Sequence, residues 1–279
     1  TLMMVCMGAF VLNDAFVRLA GNTLPLAQIL FLRGILTTTL LLIFALYIGV
    51  FKLRISRSDK WKIFFRSVTE SVTAYFFLTA VMHMPFANVT AILQILPMTV
   101  TLSSAFVFKE KVGILRLGLI IIGFLGVLIV IRPTLEGVDI FAVSALIGVI
   151  GLAGRDFSAR ILPNDISVIG LSFFGSLSVA LAGVLLMVFS EGWVLPNIMQ
   201  MMYCVGMIIA GGLGLWCMSS SIRLADVSAV SPFRYARIIF GMITGVVIFN
   251  ENIDSLTILG SAIIVGAGLY TWSRERRFT

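Results

Sequence analysis

Histidine is almost absent from this sequence: His83 is the only one in 279 residues. An intramembrane metalloenzyme needs several His or acidic ligands together, and a serine hydrolase needs a histidine beside its nucleophile. Neither has a foundation here. Charge is scarce as well. Charged residues make up 12% of the chain, against about 25% in a soluble domain. So few charges cannot cover a water-facing surface, so the solvent for most of the chain is lipid. Cysteine is limited to Cys6, Cys204 and Cys217, each inside an apolar run and none in a CxxC. That pattern excludes a disulfide framework and a zinc site. No Walker-type phosphate loop occurs, so the chain does not itself hydrolyse ATP. The sequence points away from an enzyme and implies no cofactor or metal.

What is present is apolar: 59% of residues are hydrophobic and the mean hydropathy is +1.09. The apolar runs are continuous and about twenty residues long, the length of a membrane-spanning helix. They lack the strict alternation of a barrel strand. Turn signals divide them into ten spans at about 2–20, 25–50, 62–83, 85–108, 112–132, 138–161, 165–190, 197–222, 226–249 and 254–273. The predicted fold is an all-α integral membrane protein. Repeated Gly in 105–132 and 257–270 permits close helix approach in lipid. The chain opens on Thr1 rather than Met, which reads as a start inside a longer native chain. No cleavable signal peptide is visible, and the first segment reads as a span.

The net charge of +7 sits in the short connections, so it reads as topology and not as a nucleic-acid surface. Lys52, Arg54, Arg57, Lys60 and Lys62 fill the second connection; Lys109 and Lys111 the fourth; Arg155 and Arg160 flank the sixth; Arg223 is in the eighth; Arg274, Arg276 and Arg277 form the tail. The alternate connections hold Arg132 alone, with Glu136, Asp139, Glu191, Glu251 and Asp254. Both termini are therefore expected in the cytoplasm, with the chain in a bacterial inner membrane.

The sequence also repeats itself. Ala87-Asn88-Val89-Thr90-Ala91 parallels Ala225-Asp226-Val227-Ser228-Ala229, and Phe108-Lys109-Glu110-Lys111 parallels Phe249-Asn250-Glu251-Asn252. Gly118 and Gly126 match Gly260 and Gly268. Two halves of five spans, 1–134 and 135–279, follow, and five being odd they enter the membrane in opposite senses. Inverted repeats are a common carrier architecture, with the site near the midplane between them. These residues, with Pro85, Pro97, Gly118 and Pro133, resemble the drug/metabolite transporter superfamily of EamA type over essentially the whole chain. Members of that superfamily move amino acids, other metabolites, cofactor precursors and toxic compounds, some inward and some outward. Asn13-Asp14 and Arg33 further resemble a subgroup of S-adenosylmethionine or riboflavin uptake carriers. In the second half Glu251 follows Asn where the family pattern has Gly, which limits its role to capping a turn.

Ionisable residues at bilayer depth are functional candidates by default. Asp14, Arg33, Glu70, Arg234 and Arg237 are those candidates. At about 1.5 Å per residue, Asp14 and Arg33 fall at nearly one height and can pair, with Arg18 competing. Glu70 falls level with Arg234 and Arg237 and can pair with either. Two acids against three bases leave one arginine for a carboxylate or phosphate on a substrate. Pro232 and Pro97, the latter beside Gln94, interrupt corresponding spans and are expected to cross at the substrate; Tyr75, Tyr235 and Trp216 are candidate lining aromatics. The expected function is secondary transport of a small organic metabolite, amino-acid-like, zwitterionic or aromatic, by alternating access. Export of toxic compounds, a passive channel and a non-transporting assembly partner are the alternatives. Protons are a candidate coupling ion, through Asp14 or Glu70, and the assembly is a monomer or homodimer. His83 reads as an interfacial residue.

Overall fold

Lipid offers no hydrogen bonds, so each apolar run must satisfy its backbone within itself. The computed structural model describes residues 2–48, 57–100, 102, 114–132, 139–161, 167–189, 192–224 and 230–278. Among them are ten α-helices and no strand: α1 Leu2–Gly21, α2 Leu26–Ile48, α3 Arg57–His83, α4 Phe86–Leu93, α5 Ile114–Ile131, α6 Ile140–Ile161, α7 Val168–Met187, α8 Ile198–Leu224, α9 Ala236–Val247 and α10 Ser255–Phe278. Six of these are long and apolar enough to cross a membrane by length and composition alone: α1, α2, α6, α7, α8 and α10. The 27-residue α3 carries Arg57, Asp59, Lys60, Lys62, Arg66 and Glu70 and is less apolar than these six. The apolar helices of α4 and α5 are shorter.

The molecule is arranged for lipid, with apolar side chains outward and polar ones within. On α5 the exposed Ile121, Ile122, Leu125 and Leu128 form a stripe at helical spacing, while Asn13, Asp14, Gln28, Thr38, Ser67, Thr73, Thr90 and Gln94 are buried. Helices are joined across the interior by hydroxyls and small residues. Thr38 donates to Ser176 Oγ between α2 and α7 at 3.0 Å, and Ser71 to Ser178 Oγ between α3 and α7 at 2.8 Å. The carbonyl of Gly126 on α5 meets Gly260 on α10 and the reverse, so a Cβ at either would press on the other's backbone. The expected close approach of the Gly-rich segments is therefore realised there.

Two spans depart from a single helix. α4 turns at Gln94–Ile95 before helix resumes at residues 96–100, because Pro97 has no N–H for the carbonyl of Leu93. In the ninth span, expected as one helix over 226–249, Val230 is helical, a 3₁₀ turn follows at Ser231–Tyr235 around Pro232, and α-helix continues from Ala236. The third helix begins at Arg57, five residues before the expected span. Asp59 there pairs with Lys62 at 3.0 Å and Trp61 stacks on Phe64, so an interfacial turn precedes the lipid-buried part. The repeat motifs at 108–111 and 225–229, and the turn prolines Pro133 and Pro163, lie outside the described residues.

The most extensive packing joins α2 with α7, α1 with α8, α3 with α6 and α5 with α10; α4 also packs on α9. Each of these pairs takes one helix from α1–α5 and one from α6–α10. Exchanging the two sets maps α2·α7, α4·α9 and α5·α10 onto themselves and α1·α8 onto α6·α3. The core is therefore built between the two sets of five.

Candidate functional site

Asp14 is the most buried carboxylate among the described residues, about 18 Å along α1 from its first turn. Its partner is Arg237, whose Nη2 donates to Oδ2 at 2.5 Å. The pair joins α1 to α9 across the two halves. Arg237 is engaged at one corner: its Nε is buried with no hydrogen-bond partner, and its guanidinium stands 5.7 Å from the Phe10 ring. Beside Asp14, Asn13 donates to the carbonyl of Met207 on α8 at 2.6 Å, with Gly211 leaving room for the amide.

This corrects the expected Asp14–Arg33 pair. Depth along a helix fixes height but not the direction faced. α1 packs along α9 and touches α2 only slightly, so the arginine on α9 is the one within reach. Arg18 does not compete for Asp14 either. Its Nη1 donates to Glu251 Oε1 at 2.6 Å, and its guanidinium lies 4.4 Å from the Phe249 ring.

Glu70 pairs with neither Arg234 nor Arg237. It lies between Arg66 Nη2 at 3.7 Å and Arg155 Nη1 at 3.4 Å, and Arg155 also holds Asp156 at 3.0 Å. The reason is again packing, since α3 lies against α6 and α7. Arg66 donates in addition to the carbonyl of Leu171 on α7 at 2.9 Å, and Gly175 of α7 faces the Glu70 carboxylate. Sequence reading left out Arg66 and assigned Arg155 to a connection. The signal was present: Arg155-Asp156 interrupts an otherwise apolar run.

Arg33 and Arg234 have no carboxylate within ion-pair distance among the described residues. Both are half-buried. Arg234 lies on the 3₁₀ turn, and its backbone carbonyl accepts from Gln94 Nε2 at 2.8 Å. The two proline-interrupted segments thus meet at Gln94 and Arg234. Thr90, one turn before Gln94 on α4, sits against Gly241 of α9, about two turns beyond Arg234.

The aromatics divide. Tyr235 is buried with its hydroxyl against Gly268 of α10. Tyr75 continues the exposed stripe Phe65, Val68 and Val72 on α3, with its ring edge-on to Phe76. Trp216 is exposed on the face of α8 opposite the one that packs on α1. The structure therefore gathers Asp14, Arg33, Glu70, Gln94, Arg234 and Arg237 inside the bundle and leaves Tyr75 and Trp216 on outer stripes. His83 stacks on Phe141 at 4.4 Å, with Nδ1 against its own helix carbonyl of Thr79.

At the expected outer end, Glu251 does more than cap its own turn. Oε1 accepts from the N–H of Phe86 at 2.7 Å and Oε2 from that of Ala87 at 3.3 Å, so the loop after α9 caps the start of α4. Phe86 packs on Phe249 at 5.2 Å. Arg18, Glu251, Phe249 and Phe86 form one knot tying α1, α4 and the α9–α10 loop.

Comparison with known proteins agrees with this architecture. The EamA-like transporter family matches residues 1–132 and again 140–272. An S-adenosylmethionine uptake transporter of Rickettsia prowazekii is 22% identical over 95% of this chain and 89% of its own. A pseudopaline exporter of Pseudomonas aeruginosa is 26% identical over 92% of this chain and 90% of its own. An uncharacterised transporter of Helicobacter pylori is 27% identical over 93% and 89%. A solved crystal structure superposes on 99% of this chain and 98% of its own with a TM-score of 0.69 at 16% identity, which bears on the fold alone.

Proposed function

The chain belongs to the EamA-like transporter family, and from that premise we propose that it is a secondary carrier of a small organic metabolite, working by alternating access in the bacterial inner membrane with both termini in the cytoplasm. Two inverted halves, 1–134 and 135–279, form it, and the substrate site lies between them. The observation that carries this reading is the Asp14–Arg237 pair beside the crossing of two proline-interrupted helices. A pair meant only to brace the bundle would be fully satisfied. This one is held at a single corner, with Arg237 Nε unpartnered. Contact between the halves can then be exchanged at modest cost as the carrier opens to one side and then the other. The knot at Arg18–Glu251 is the contact that parts when the outer side opens.

The relatives named for uptake and for export leave both directions open to this fold. Uptake of S-adenosylmethionine or a similar zwitterion is the reading we favour. Asp14 of the Asn13-Asp14 doublet holds Arg237 inside the bundle, and Arg33 is half-buried on α2 with no carboxylate at ion-pair distance among the described residues. Export is the second reading, supported by the Pseudomonas relative. Counterflow into proteoliposomes with labelled S-adenosylmethionine, riboflavin and amino acids tests the proposal. Saturable exchange of at least one solute is expected, and Asp14→Asn or Arg237→Gln should lower it at least tenfold. Flux that does not saturate and is indifferent to both substitutions would be that of a channel.

A further inference from the structure

Cys6 and Cys217 stand near opposite ends of the sequence, and the fold brings them to one place. Cys6 on α1 donates its S–H to the carbonyl of Gly214 on α8 at 3.1 Å. Cys217 follows Gly214 one turn further along the same face of α8. Helical side chains lean back toward the N-terminus over the preceding turn, so the Cys217 thiol lies over the turn of Gly214, where Cys6 Sγ already is. Gly214 puts no side chain between them, and the Phe10 ring takes the place its Cβ would fill. Cys6, Cys217, Met3 and Met7 belong to one packed cluster, with Met218 against it.

What the pair joins and what surrounds it set it apart from an ordinary core contact. α1 belongs to the first half and α8 to the second, and their packing is among the most extensive in the molecule. The two cysteines are 0% and 1% exposed, so a reagent meets them only as α1 and α8 part. The walls there are methionines, unbranched and adaptable, which yield to a small apolar molecule. Cys6 is only about 6 Å along α1 from Leu2, toward the end expected in the cytoplasm. Disulfides that form in that compartment are usually transient and redox-sensing. Cys204 is placed differently: it packs in the main core, about 20 Å from Cys217 along α8.

We propose that Cys6 and Cys217 are a modification site, a dithiol that a low-molecular-weight disulfide converts to a reversible bridge fastening the two halves together. The thiolate of whichever cysteine the seam first uncovers attacks a sulfur of the reagent, forming a mixed disulfide and releasing one small thiol. When the helices close again, the second thiolate attacks the protein sulfur of that mixed disulfide, forming the Cys6–Cys217 bond and releasing the other small thiol. Two protein thiols are oxidised, one small disulfide is reduced, and the two protons lost by the cysteines end on the released thiols. The reaction needs the seam to open, and its product holds the seam shut. A carrier is therefore arrested in proportion to its use. That consequence rests on the carrier reading above, whereas the bridge itself does not.

The test treats purified full-length protein with dipyridyl disulfide, a small apolar oxidant, and reads intact mass and a peptide map. Loss of two hydrogens with Cys6 joined to Cys217 is expected, reversed by dithiothreitol. Cys6→Ser and Cys217→Ser should each abolish the linkage, leaving at most a pyridylthio adduct, whereas Cys204→Ser should keep it. Should serine at either buried position unfold the protein, alanine carries the comparison. The bridged protein should unfold at a higher temperature than the reduced one, because the link constrains the unfolded chain. In proteoliposomes exchanging a labelled solute, oxidation should slow exchange at least tenfold in the unsubstituted protein and in Cys204→Ser, and leave Cys6→Ser and Cys217→Ser unaffected. Adducts on both cysteines without a bond between them, no reaction at either, or a bond made by Cys204 would overturn the site. A bridged protein that unfolds no later than the reduced one, or exchanges as fast, would overturn the lock. If no solute exchanges at all, the carrier reading fails, and mass and Tm still decide the bridge.

Discussion

Asp14 and Arg237 lie 223 positions apart in the chain and meet at 2.5 Å. Both side chains are largely buried, at 7% and 14% exposure, so removing either partner leaves the other charge without compensation. Such a loss typically costs about 3–5 kcal/mol. Asp14→Asn and Arg237→Gln are each expected to lower unfolding stability by about that amount, and the double substitution to recover most of it. Transport should fail in all three. Recovery of both stability and transport in the double variant would reduce the pair to a brace. At this scale the sequence showed which residues were unusual. It did not show their partners, because a count of residues gives height while pairing needs the direction each helix face turns. Arg155 is the instructive omission: counted with the sixth connection although it lies within the expected 138–161 span, it reaches Glu70 because α6 packs along α3.

The elements were more legible than the pairs. Lipid allows only closed backbone hydrogen bonding, so an apolar run of sufficient length has one available structure. Gly21, Pro25 and Pro85 mark ends that the helices respect. Breaks inside helices were legible where proline stood, at Pro97 and Pro232, because a missing N–H acts locally. The cap on α4 was not legible. Its N-terminal N–H groups are met by a carboxylate from a loop 165 residues away, and no local signal announces such a partner. Glu251→Gln keeps an acceptor for Phe86 but loses charge against both the helix dipole and Arg18. A fall of about 1–2 kcal/mol in stability is expected, with Arg18→Gln adding little to it because both act through the same contact. A thermal-unfolding series of the two singles and the double checks this. Additive losses would mean that Arg18 and Glu251 act separately.

For the whole molecule, the sequence suggests two repeated halves, and how residues of the two engage was not legible in it. The most extensive helix contacts among the described residues each cross between the first and second halves. Val11, Leu30, Leu78 and Val127 from the first half and Val149, Val179, Met207 and Ile264 from the second fill one core cluster. Neither half can bury its own apolar surface in the native way. Expressed alone, 1–134 or 135–279 should be degraded, while the two co-expressed as separate chains should recover a complex that transports. Accumulation of either half alone at the level of the intact protein would contradict the interlocked core.

The crossing of Gly126 and Gly260 has a consequence for how such an interlocked body can move. Each carbonyl stands against the other's glycine, with Val130, Ile263 and Ile264 packed around the contact, and Gly34 against Ala180 and Gly183 against Phe31 bring α2 and α7 together in the same way. A seam of glycine backbone holds no side chain that must leave its groove before the helices slide, so the halves can shift along it. Filling it with a side chain would leave a protein that still recognises its solute but cycles slowly.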